Sequence, residues 1–351
     1  MPDQLVCRGA KLLGRYLVAG MDKPHRILMI RLKSMGDIVF TLPSVHAVRE
    51  TLPEARISFL VSKEYAPLLE GFPQVATVIE LNRERFRGLH PIKMVLETIA
   101  VLRRIQQQRP DLTIDLQGYG ETAWLTWASG AAERWGTVYR PGRSWAYTQA
   151  VPRNAGVHPA EDYLLLLRGH GMASTTVHNQ FNLPKQFQDL ALKFFSENGL
   201  SFDRPTLFVQ PFTSAAEKNW PLDRYLEVAK RWKNRKWQVL FGGGPSDRPG
   251  LEPVRQVGFP VAAGVPLLVS AGLAQASALV LGADTGLVHL AVAMGKRVVM
   301  IMRSPFSGST HPFQHPGWAI CPPNKDPLAS ITSQAVDQCC VQACAQLGIC
   351  A

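Results

Sequence analysis

The sequence has no uninterrupted apolar run approaching the roughly 20 residues of a membrane-spanning helix, so no such helix is expected. Its opening stretch, LVCRGAKLLGRYLVAG, is interrupted by Arg8, Lys11 and Arg15, which argues against the apolar core of a signal peptide. Walker A, G-x-S-x-G, H-E-x-x-H and C-x-x-C are all missing, so the usual signatures of P-loop, α/β-hydrolase, zinc-protease and thioredoxin-like chemistry do not apply. Cysteine is scarce over most of the chain. Cys7 stands alone, and Cys321, Cys339, Cys340, Cys344 and Cys350 fall in the last 31 residues. This is not the framework of a short secreted domain, and it fits a reduced, intracellular protein. Acidic residues are also few: 27 Asp and Glu stand against 38 Lys and Arg, a formal charge of +11. That balance favours an anionic partner, whether nucleic acid, a phosphorylated substrate or an anionic membrane.

What is present is enough apolar sequence for a large core. With 351 residues, 46% hydrophobic and 19% charged, the chain predicts two domains and excludes disorder. Short apolar runs alternate with helix-period stretches, the pattern of a parallel α/β sheet. Strands are expected at 26–31 (RILMIR), 57–61, 75–81 and 112–116, with helices near 44–51, 91–108 and 121–129. A second series has strands at 206–210, 237–241, 278–282 and 298–301 and helices at 222–233, 267–276 and 286–294. The expectation is therefore two Rossmann-like domains, 26–181 and 206–325, joined by a linker at 182–205 and facing a central cleft. A basic amphipathic extension would occupy 1–25, either docked on the protein or lying on an anionic membrane, and a helical Cys-rich tail would occupy 326–351.

Ligands of open α/β sheets bind beyond the carboxyl ends of the strands, which directs attention to three loops. After RILMIR comes LKSMGDIVFTLP, where Gly36 permits a tight turn and Asp37 projects a carboxylate near a helix start. Asp37 could cap that helix or accept a proton from a hydroxyl nucleophile, and spacing alone leaves both open. After TLFVQ, Thr213, Ser214 and Lys218 offer hydroxyls and an ammonium suited to a diphosphate, although Lys218 could equally be surface charge. The third loop is GADTGLVHLAVAMG. Here Asp284, Thr285 and Gly286 turn from a buried strand straight into an apolar helix, whose free N–H groups make an anion site. His289, one turn in, reads as a supporting residue. FGGGPSD carries glycines but has Asp247 where G-x-G-x-x-G needs its third, so Asp247 is only a candidate for a ribose hydroxyl. Cys340 and Cys344 would share a helix face. Thiols are the expected state there, and no metal site is assigned.

Three motifs in order, IRLKSMGDIVFTLP, TSAAEKNWP and GADTGLVHLAVAMG, together with PDLTIDLQG and FGGGPSD, resemble the bacterial heptosyltransferases of glycosyltransferase family 9. The resemblance implies a GT-B fold, with acceptor mainly on the first domain and nucleotide sugar mainly on the second. It also implies metal-independent inverting transfer of heptose from ADP-heptose to the acidic inner core of lipopolysaccharide, with no cofactor. Carried over, Asp37 would be the general base, and Lys218 would stabilise the departing ADP. Asp284, Thr285, Gly286, Thr213 and Ser214 would line the donor pocket, with Asp247 at the ribose. Arg31, Lys33 and Gly36 would lie on the acceptor side. Phe212, where a small glycine is common, and GYGETAW after Gln117, where many members have a basic residue and serine, depart from the pattern. The resulting expectation is a cytoplasmic, membrane-peripheral enzyme that binds an ADP-sugar and a lipid-linked acidic oligosaccharide, and no nucleic acid. The rival readings are a sugar-nucleotide hydrolase or epimerase, and a non-catalytic nucleotide-sugar-binding scaffold of the envelope.

Overall fold

The computed structural model describes residues 24–83, 91–172, 174–304, 309–323 and 326–349. The basic extension expected at 1–25 falls almost wholly outside them, as do Cys7 and Cys350. The chain divides into two compact units, Met1–Asn179 and Gln180–Ala351.

In the first unit, β1 (Arg26–Ile30) is buried from Ile27 onward, and β2 (Arg56–Ser62) from Ile57 onward. Continuous burial marks strands covered on both faces, as parallel sheets require. β1 pairs in parallel with β2 on one side and β4 (Leu112–Asp115) on the other. β3 (Val75–Leu81) extends the sheet beyond β2, and β5 (Glu133–Val138) and β6 (Gln149–Pro152) extend it beyond β4. The strand order is β3-β2-β1-β4-β5-β6. Among the described residues the helices are α1 (Met35–Val39), α2 (Leu42–Thr51), α3 (Pro91–Gln107), α4 (Gly120–Ala128) and α5 (Pro159–Arg168).

The second unit repeats the plan. β7 (Thr206–Gln210) lies between β8 (Gln238–Gly243) and β10 (Leu279–Ala283), with β9 (Val261–Ala263) outside β8 and β11 (Val298–Ile301) and β12 (Ala319–Ile320) outside β10. All pairings are parallel. Its helices are α6 (Lys185–Glu197), α7 (Leu222–Asn234), α8 (Glu252–Gln256), α9 (Leu267–Ala276), α10 (Gly286–Ala293) and α11 (Ser333–Gln346). Both sheets therefore have the doubly wound order, whose direction reverses between β1 and β4 in one and between β7 and β10 in the other.

Two expected boundaries change. The segment at 182–205, read as a linker, belongs to the second unit: α6 packs so closely on α9 that a Cβ on Gly272 would lie 2.7 Å from the Ala191 Cβ. The Cys-rich segment is not a tail either. Val336, Cys340, Ala343 and Cys344 of α11 are buried in one core with Trp220, Tyr225 and Trp232. The Trp232 indole donates to Asp337 Oδ1 (2.9 Å), and Arg235 grips both Asp337 oxygens at 2.7 and 2.9 Å. The stripe at i, i+4 and i+7 is what buries this helix face, and burial pushes the Cys340 and Cys344 thiols up.

Candidate active site

In the first unit the chain leaves β1 at Arg31, which is 4% exposed, and enters α1 at Met35. Arg31 Nη2 lies 2.7 Å from Asp37 Oδ2, and its Nη1 donates to the Leu116 carbonyl at 2.8 Å. The same Oδ2 accepts the Ser34 N–H and the Ser34 hydroxyl, each at 3.0 Å. Asp37 is thus a capping residue after all. Capping occupies only one of its oxygens, since no hydrogen bond to Oδ1 occurs among the described residues of its unit. Burial raises the Asp37 pKa, but the Arg31 charge and the Ser34 donors outweigh it and hold the carboxyl below its ordinary range.

The neighbouring strand end braces this loop. Gln117, after β4, accepts the Leu32 and Lys33 N–H groups on Oε1 at 2.9 and 3.3 Å. Asp115, fully buried, takes the Gln117 and Gly118 N–H groups on Oδ1 and the Tyr147 hydroxyl on Oδ2, at 2.8, 3.0 and 2.7 Å. Burial raises its pKa, which suits a structural carboxyl. Of the acceptor-side candidates, Lys33 is exposed, Gly36 is buried in α1, and Arg31 faces Asp37 rather than solvent. Arg31 ties the Asp37 carboxylate to the carboxyl end of β4.

The second unit places its candidates at the ends of β7 and β10. Lys218 Nζ reaches Asp284 Oδ2 at 3.0 Å. His289 Nε2 lies 3.0 Å from Asp284 Oδ1, and since an ionised carboxylate only accepts, that nitrogen carries the proton. The Thr310 hydroxyl lies at 3.1 and 3.0 Å from the two oxygens. Burial raises the Asp284 pKa, but His289 and Lys218 more than offset it and lower the carboxyl from 3.8 to about 2. Thr285 caps α10 by accepting the Val288 N–H at 3.4 Å, so Gly286 and Leu287 supply the first-turn N–H groups that no helical carbonyl takes. A Cβ on Gly282 would meet Val288 Cγ2 at 2.7 Å and the Gln210 carbonyl at 2.9 Å, which is how closely this helix start sits on the sheet.

Other candidates have different local roles. The Thr213 hydroxyl donates to the Ala215 carbonyl and accepts its N–H (2.7 and 3.1 Å), so it shapes its own loop. The Thr213 N–H goes to Asn219 Oδ1 at 2.8 Å. Ser214 is exposed. Asp247 accepts the Gly244 N–H at 2.7 Å in the turn after β8, and no contact joins it to Lys218 or Asp284. Phe212 packs on the core, its ring against Gly250, where a Cβ would lie 3.0 Å from the ring. Sequence reasoning missed Thr310, Asn219 and Gln117. Gln117 sits in the quoted PDLTIDLQG stretch and Asn219 in TSAAEKNWP, while Thr310 lies in MRSPFSGSTHPFQ, a run that departs from the usual glycine-rich loop after Ile301.

Both candidate clusters therefore sit where a doubly wound sheet binds ligands. Residues 98–335 match the family described as glycosyltransferase family 9 (heptosyltransferase). The chain belongs to glycosyltransferase family 9. Lipopolysaccharide heptosyltransferase 1 of Pseudomonas aeruginosa is 27% identical over 277 residues, covering 77% of this chain and 76% of that protein. Among solved structures, the family 9 glycosyl transferase of Veillonella parvula superposes with a TM-score of 0.81 at 21% identity, covering 93% of this chain and 99% of that one. The E. coli heptosyltransferase WaaC with ADP gives 0.73 at 20% identity, covering 91% and 99%. The glycosyltransferase thus has the GT-B fold, built from two Rossmann-like units.

Proposed function

We propose that this enzyme transfers heptose from ADP-heptose to a lipid-linked acidic saccharide of the lipopolysaccharide inner core, with inversion and without a metal ion. The observation that carries the reading is the Lys218–Asp284 pair beside the start of α10, an ammonium and first-turn N–H groups that no helical carbonyl takes, at the carboxyl ends of two adjoining strands. In the reaction the acceptor oxygen attacks the anomeric carbon as Asp37 takes its proton. The bond from that carbon to the β-phosphate oxygen breaks, and ADP departs. Lys218 and the α10 N-terminus offset the charge that develops on the diphosphate. Asp284, next to an anion, acts by holding Lys218, with Thr310 and His289 fixing the carboxylate. Arg31 keeps Asp37 ionised and aimed, and a base held this low gains its proton only as the acceptor hydroxyl becomes acidic in the transition state.

The expected location is the cytoplasmic face of the membrane. No helix among the described residues is long and apolar enough to cross it. Peripheral contact is supported by the exposed Trp127 and Trp145, 6.0 Å apart, and by exposed Met94, Val95 and Leu96 on α3. The deciding experiment combines calorimetry with ADP-, UDP- and GDP-sugars and a transfer assay of Asp37→Asn. The expected result is binding of ADP-heptose, with turnover in the variant reduced about 100-fold or more and ADP affinity retained. Preference for a UDP- or GDP-sugar overturns the donor, and wild-type turnover by the variant overturns the base.

A further inference from the structure

We propose that the first unit carries a saccharide subsite at the carboxyl ends of β4, β5 and β6, in which Tyr119, Tyr139 and Arg153 bind a pyranose bearing an anionic substituent. The proposal rests on the reading of the acceptor as an acidic saccharide and names the side chains that would recognise it. A cavity of about 700 Å³ lies there, lined by Tyr119, Tyr139, Pro141, Ser144, Pro152 and Arg153 among others, a size typical of small-molecule sites. Tyr119 follows the turn after β4, Tyr139 follows β5 and Arg153 follows β6, so all three share the ligand-binding edge of the sheet with Asp37.

The chemistry of the lining is specific. Tyr119 and Tyr139 remain 40% and 39% exposed, with centroids 5.1 Å apart and rings inclined at 52°. Large aromatic side chains left open in a concave site offer an apolar face for the C–H face of a sugar and phenol groups for its hydroxyls. The Arg153 guanidinium carbon sits over the Tyr139 ring, 4.5 Å from its centroid, where the aromatic face attracts the cation. Its guanidinium lies within electrostatic range of the Asp162 carboxylate but donates no hydrogen bond to the protein among the described residues, so its N–H fork can take a carboxylate or phosphate. Arg143 Nη1 donates to the Gly118 carbonyl at 2.9 Å and fixes the turn that presents Tyr119. This turn opens GYGETAW, one of the segments in which the chain departs from the usual family pattern.

The test is steady-state kinetics with ADP-heptose and a de-acylated, carboxylate-bearing inner-core acceptor. Wild type is compared with Tyr139→Ala, Arg153→Ala and Arg153→Lys, and with the same acceptor carrying its carboxylate as an amide. Loss of a charge-assisted contact is expected to raise the acceptor KM about 10-fold or more in Arg153→Ala while the donor KM stays within about twofold, which also reports an intact fold. Arg153→Lys should recover part of the loss. The amide should impair wild type by a similar factor and Arg153→Ala no further. Unchanged acceptor KM in both alanine variants, or equal loss toward donor and acceptor, overturns the subsite. If wild type transfers no heptose to this acceptor, the functional reading fails on its own. The pocket is then judged by saturation-transfer NMR with methyl glucuronide and methyl glucoside. A glucuronide signal that is lost in Tyr139→Ala and Arg153→Ala supports the subsite, and the same signal in all three proteins refutes it.

Discussion

Asp284→Asn isolates the charge at the centre of the second unit's cluster. The carboxylate is nearly buried, with its side chain 12% exposed, and its pKa is lowered from 3.8 to about 2. At 1.36 kcal/mol for each pH unit of difference, its ionised form contributes about 2 kcal/mol to folding at pH 7. Because the folded pKa is the lower one, that stability is fully present above 3.8 and is lost as pH falls through about 2. The contribution is about 1 kcal/mol at pH 3 and a few tenths at pH 2. Asparagine keeps the shape but turns one donor toward Lys218 or His289, both already donors, so nothing replaces the lost attraction. Urea unfolding of wild type and Asp284→Asn at pH 7 and pH 3 measures the difference. A gap near 2 kcal/mol that roughly halves at pH 3 is expected. Equal stability at pH 7 would refute the reasoning, and an undiminished gap at pH 3 would assign the effect to packing instead of charge.

Other substitutions separate catalysis from folding. Lys218 is 45% exposed, so Lys218→Ala should change stability by less than about 1 kcal/mol while lowering kcat/KM for transfer about 100-fold, read by urea unfolding and steady-state assay. Gly118 has φ +68°, and a Cβ there would stand 1.9 Å from the Thr137 carbonyl oxygen. Gly118→Ala should therefore cost about 2 kcal/mol or more in the same unfolding assay, and a loss below about 0.5 kcal/mol would show that the turn can relax.

Much of the site was readable because its parts are local. Gly36-Asp37, Lys218 and Asp284-Thr285-Gly286 each follow an apolar strand run, and a strand run marks the sheet edge where ligands gather. Less legible were the strands that build the aromatic cavity. β5 reads ERWGTV and β6 reads QAVP, one interrupted by charge and glycine, the other four residues long and ending in proline, so neither carries an apolar run. Residues 326–351 looked like a separate tail because composition reports cysteine content and not what a helix face packs against. Capping does not use up the Asp37 carboxylate in the folded chain, since Oδ2 caps α1 while Oδ1 makes no hydrogen bond among the described residues of its unit.

The sequence by itself determined the two α/β series, the order of the three chemical loops and the family, because strand periodicity, turn glycines and motif order are properties of neighbouring residues. Tertiary structure decided which of those residues meet. Asp284 acquires Thr310 from 26 residues away and Lys218 from 66, and Lys33 is held by Gln117 from 84. Those distances along the chain are closed by parallel pairing of β10 with β11, of β7 with β10 and of β1 with β4. Such pairing brings remote strand ends to one edge, so the partners and charge states of the catalytic candidates exist only once both sheets have formed.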